Sequence, residues 1–113
     1  MAKVEIVNSL FEAIQKKFQG EAHEVIDLME SLENSPHKGK ALGHVAGMVI
    51  KELRYKSFRF YFITDGYKLK FFDEKSLVDL LIRFVRMSDK KDQQQTISEI
   101  RKILLNFGPE GFD

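Results

Sequence analysis

Apolar residues recur at helical spacing twice near the start of the chain. Leu10, Phe11, Ile14 and Phe18 form one stripe, with Asn8 or Ser9 placed to cap the helix and Ser9 with Glu12 fitting a capping box. Val25, Ile26, Leu28, Met29 and Leu32 form a second stripe, while Glu21, Glu24, Asp27, Glu30 and Glu33 fall on its wet side. Gly20 separates the two helices and Ser35-Pro36 stops the second, so residues 1–36 predict an αα-hairpin, with Val4 to Val7 as a short strand before it. Lys38 to Gly47 turns to Gly, Lys, His and Ala and reads as a loop with room for one helical turn. The period then becomes two. Met48 to Tyr55, Phe58 to Thr64, Tyr67 to Phe72 and Val78 to Met87 are rich in β-branched and aromatic residues, with Asp65-Gly66 as a hairpin turn. Alternation sends Phe58, Phe60 and Phe62 to the core face, and Arg59, Tyr61 and Ile63 to the other. Asp73-Glu74-Lys75-Ser76 makes the next turn, a short helix from Ser76 to Leu81 being the alternative. Thr96 with Glu99 is a second capping box, opening a helix that carries Ile100, Ile103, Leu104 and Phe107 and closes at Gly108-Pro109. The expected fold is α+β: the hairpin packed on a twisted, mainly antiparallel sheet of three to four strands over residues 48–87, with a C-terminal helix over residues 96–107.

A length of 113 residues suits one domain, 1–113, and 43% hydrophobic residues supply a core for it. No apolar run approaches the roughly 20 residues that span a bilayer. Met1-Ala2-Lys3-Val4-Glu5 has no apolar stretch of the kind a signal peptide carries, so a cytoplasmic location is expected. The chain has no Cys, and His23, His37 and His44 lack metal-ligand spacing, so neither a metal nor another cofactor is expected.

Charge changes the picture once the chain is divided. The net charge is +1, yet residues 1–36 hold three Lys against seven acids, and residues 37–72 hold eight Lys or Arg against two. A basic middle favours a polyanion or an acidic protein as partner, or else serves as a solvated sheet edge.

The order helix, helix, basic sheet, helix resembles the RelE/ParE superfamily of toxin–antitoxin toxins, over nearly the whole chain. Ile50-Lys51-Glu52-Leu53-Arg54 and Phe58-Arg59-Phe60-Tyr61-Phe62 look like the family's Glu-Leu-Arg strand and the aromatic-Arg-aliphatic strand after it. Phe84-Val85-Arg86-Met87-Ser88-Asp89-Lys90-Lys91 is similar to its basic segment, and Ile97 to Leu104 to its closing helix. Leu32, Pro36, Lys40 and Leu42 match its lead-in, and the Glu-Leu-Arg form is closest to the HigB and phage-derived branch. The resemblance implies a toxin that cuts messenger RNA on the ribosome and is held inactive by a cognate antitoxin.

RNA cleavage without metal needs a base for the ribose 2′-hydroxyl, an acid for the leaving oxygen and cations for the charge on phosphorus. By match to the family, Arg59 is the expected phosphate cation with Arg54 beside it, since a guanidinium pairs phosphate bidentately and stays ionised. The alternative for Arg59 is an ion pair with Glu52, which itself is either general base or holder of the two arginines. Arg86, Lys90 and Lys91, with Lys51 and Lys56, are the expected RNA-binding residues, and Lys68 and Lys70 widen the basic surface. The family's acid or base near the final helix corresponds here to Ile97, while Tyr55, Tyr61 and Tyr67 are candidates for stacking or packing. Two readings follow: a ribosome-dependent endoribonuclease, or a noncatalytic protein of the same fold that targets gyrase or acts as an adaptor.

Overall fold

In a computed structural model the backbone of all 113 residues is described, and every side chain except that of residue 74. Strand β1 (Lys3–Ile6) leads into helices α1 (Asn8–Phe18) and α2 (Ala22–Glu30), joined by a 3-10 turn over Gln19–Glu21. Strands β2 (Lys40–Val45), β3 (Met48–Tyr55) and β4 (Phe58–Asp65) follow, then helix α3 (Gly66–Phe71), strand β5 (Leu81–Asp89) and helix α4 (Gln93–Phe107). The sheet has five strands in the order β1-β5-β4-β3-β2, with β1 parallel to β5 and every other neighbour antiparallel.

The class is α+β as expected, but the sheet is larger and mixed. Its extra members are the two edges: β1, which the sequence offered as a short strand, and β2, where a loop was expected. Lys40–Val45 pairs with β3 because Ala46 and Gly47 both take positive φ, 51° and 82°, and close a two-residue turn whose twist suits a hairpin. The expected strand Tyr67 to Phe72 is instead α3. Asp65 does not turn a hairpin there; its side chain accepts from the Lys68 backbone N–H and caps the helix. The short-helix alternative was closer for the next segment, which is a 3-10 helix over Glu74–Asp79.

Both capping boxes are corrected as well. Ser9 lies inside α1 and donates to Asp113, and Thr96 lies in the first turn of a helix that begins three residues earlier, its hydroxyl donating to the Asp92 carbonyl. Gly108 ends α4 at φ 74°, where the Gly-Pro stop was read.

Helices cover both faces of the sheet. On one, α1 and α2 pack Phe18 against Tyr55, Phe58 and Phe60, with Ile14, Val25, Met29 and Leu32 fully buried. Phe60 and Phe62 are buried there as expected, whereas Phe58 and Leu28 are half-buried. On the other face α4 buries Thr96, Ile100 and Leu104. The consequence for β4 is burial on both sides, so Tyr61 and Ile63 are as enclosed as the phenylalanines.

No helix among the described residues is long and apolar enough to cross a membrane.

Candidate functional site

Strand register decides which of the basic residues share a surface. Residues directly opposite in an antiparallel pair lie on one face, so Arg54, Arg59 and Ser88 form a row across β3, β4 and β5, with Glu52, Tyr61 and Arg86 in the next row. This is the face that α4 covers. Arg86 joins it only because β5 bulges: Tyr61 pairs with Arg86 but Phe62 with Phe84, leaving Val85 as the extra residue. Without that insertion, alternation would send Arg86 toward α1 and α2.

Glu52 is the hub of the rows. It is 2% exposed, accepts from Arg54 Nε at 3.0 Å and from Gln93 Nε2 at 3.2 Å, and lies 3.9 Å from Arg59 Nε. The last distance is an ion pair and too long for a hydrogen bond. Arg59 Nε is accordingly buried with no hydrogen-bond partner. Arg54 has a side chain 58% exposed, so it carries its charge into solvent from the same carboxylate. The expectation that Arg59 would stand on an exposed basic surface is not met: it is 7% exposed, because α4 and the turn before it lie over this face. Of the two roles considered for Glu52, general base or holder of the arginines, the geometry shows the ion pairs to Arg54 and Arg59 that holding requires.

The remaining candidates divide. Lys90 and Lys91 are exposed in the turn between β5 and α4, at the end of the sheet where Phe58 pairs with Asp89 and Arg59 with Ser88. Arg86 Nε donates to Glu99 at 2.7 Å and its guanidinium lies 5.3 Å from the Phe112 ring centroid, so it is tied to α4 and the C-terminus. Lys56, in the β3–β4 turn at φ 54°, pairs with Glu21 of the acidic segment, which holds the Glu21 carboxyl below its ordinary range. Lys51 is on the opposite face, pairing in register with Phe62, and is 5% exposed. It is therefore no part of a surface that includes Arg54. Lys68 and Lys70 lie on α3 rather than on a strand.

Two of the three tyrosines have side-chain hydrogen-bond partners. Tyr61 is fully buried and shares a 2.8 Å hydrogen bond with Ser88, burial pushing its pKa up. Tyr55 donates to Glu24 at 2.9 Å. Tyr67 is exposed beside Phe71 and Phe72. His44 sits on β2 in register with Val49, on the face away from Arg54. Sequence reading missed Ser88 and Gln93, which complete the polar cluster; Gln93 belongs to the short Gln run and had no other signal. Among the described residues no cluster of His, Asp or Glu is arranged to hold a metal.

This arrangement leaves Arg54, Lys90 and Lys91 exposed toward one end of the sheet, with Asp89 and Asp92 in the same turn as the lysines. Comparison with known proteins adds nothing to it: no family model, curated sequence or solved structure matches this chain.

Proposed function

We propose that the chain is the toxin of a RelE/ParE-type toxin–antitoxin pair, a metal-free, ribosome-dependent mRNA endoribonuclease that inhibits translation. The observation that carries this reading is one buried carboxylate, Glu52, shared by two guanidiniums at the end of the sheet where Lys90 and Lys91 stand exposed. Arg54, Lys90 and Lys91 are the exposed cations at that end, and such groups suit a phosphate backbone. Arg54 is the group that contacts phosphate; Arg59 supports it from beneath, and the direct role expected for Arg59 passes to Arg54. Glu52 and Glu99 are ion-paired, while Asp89 and Asp92 flank the two lysines, Asp89 accepting from the Asp92 backbone N–H. Ribosome dependence comes from the resemblance to the RelE/ParE toxins, and the exposed guanidinium of Arg54 supplies the charge stabilisation that cleavage needs.

The partner it implies is an antitoxin with an acidic segment that folds on this end, in a complex weakened by salt. Expression without that partner arrests growth, and Arg54→Ala relieves the arrest; equal toxicity of both proteins would remove Arg54 from the mechanism. The burial of Arg59 favours a second reading, a noncatalytic binder of the same fold that poisons gyrase or serves as an adaptor. Pulse labelling separates the two: loss of protein synthesis ahead of DNA synthesis supports the nuclease, and the reverse order supports the gyrase target.

A further inference from the structure

On the face away from Arg54, α3 and the β2–β3 edge border an open pocket of about 210 Å³, lined by His44, Val49, Lys51, Gly66, Leu69 and Lys70 among others. Its floor is set by register, since His44 pairs with Val49 and Ala41 with Lys51, which brings these four to one face of the hairpin. Its wall is α3, which starts close against the edge. A Cβ at Gly66 would lie 3.2 Å from the Gly47 carbonyl oxygen and 3.4 Å from His44 Cδ2.

The lining is mainly apolar, and its charged or titratable members are all bases. Lys51 is the deepest of them at 5% exposed. An ammonium has three donors, and Lys51 Nζ has one acceptor, the His37 carbonyl at 2.9 Å, with the Phe62 ring centroid 5.8 Å away. No carboxylate among the described residues is within ion-pair distance of it. A buried ammonium without a counter-ion is costly unless something completes its shell, and burial lowers its pKa accordingly. Lys70 and His44, both on the pocket, add positive or donor character at the rim.

We propose that this pocket binds a small organic carboxylate with a compact apolar body, the body against Val49 and Leu69 and the carboxylate on Lys51. An apolar cavity of about 150 Å³ accommodates benzene, so the space here suits a single ring bearing one carboxylate. Such a ligand supplies what Lys51 lacks and covers the apolar walls together.

The test is titration of the isotope-labelled full chain with benzoate, benzyl alcohol and inorganic phosphate, followed by amide resonances. Benzoate is expected to shift Val49, Lys51, Gly66 and Leu69 saturably, with benzyl alcohol and phosphate each at least tenfold weaker. Lys51→Met should lower benzoate affinity at least tenfold and Lys70→Ala about threefold. Equal binding of benzoate and benzyl alcohol would overturn the carboxylate role, and equal binding of phosphate the apolar one. Shifts confined to Arg54, Lys90 and Lys91, or none, would overturn the site. Should Lys51→Met not fold, the ligand comparison on the wild type and the Lys70→Ala variant decide.

Discussion

Glu52 illustrates how one residue sets the energetics of a surface. It neutralises a guanidinium that is buried, Arg59, and another that is exposed, Arg54. Glu52→Gln leaves Arg59 as an uncompensated buried cation, and urea unfolding should show a loss of about 3 kcal/mol. Adding Arg59→Met should restore most of it, because a well-packed apolar side chain replaces the orphaned charge; a further additive loss in the double variant would mean the two residues are not coupled. Alternation in Phe58-Arg59-Phe60-Tyr61-Phe62 correctly separated the faces. It could not show that α4 would bury the second one, so Arg59 was expected in solvent. Lys51 carries the opposite lesson, a charge placed on the apolar face by the same alternation and buried there. Its native pKa is depressed by burial, so between the native and unfolded values the unfolded chain binds more protons and stability rises with pH. Lys51→Met lacks that slope: its melting temperature should exceed the wild type's at neutral pH, with the gap narrowing as pH rises toward the ordinary lysine range. A gap that widens with pH would contradict the burial of a charged Lys51.

Elements were legible where a long stripe or an unbroken alternation specified them. α1, α2, β3, β4 and α4 all carry such patterns, and their positions match the reading to within a few residues. β2 carries none: Lys40-Ala41-Leu42-Gly43-His44-Val45 has a single β-branched residue and bulges at Leu42, so its pairing rests on the turn that follows and on β3. α3 misled for the reverse reason. Tyr67 to Phe72 alternates like a strand, yet the Asp65 cap starts a six-residue helix there, packed by Leu69. The turn chemistry is itself testable. Ala46 occupies a left-handed position that Asn adopts more readily. Ala46→Asn should raise stability by about 0.5 kcal/mol in urea unfolding, and a loss of stability would show that the turn is not of this type.

At the scale of the whole molecule, the arrangement is a sheet covered on both faces, acidic helices on one side and α4 on the other, with the basic end left open between β5 and α4. Two truncations probe it: Phe62→Ala on the sheet face beneath α1 and α2, and Ile100→Ala on the buried side of α4, should each cost about 3 kcal/mol, since both side chains are fully buried. A negligible cost for Ile100→Ala would mean that α4 does not seal the sheet. The open end also predicts how the protein meets RNA. Lys90→Ala/Lys91→Ala should weaken RNA binding without sequence preference and reduce the slope of log affinity against log salt by about two. The central claim, that this end of the sheet acts on messenger RNA on the ribosome, is tested most directly by primer extension on a messenger translated in vitro with the wild type and with Arg54→Ala. The account predicts new 5′ ends within the translated region for the wild type, dependent on ribosomes and about a hundredfold or more slower to appear with Arg54→Ala; an intact messenger under the wild type, or cleavage equally fast in the variant, would contradict it.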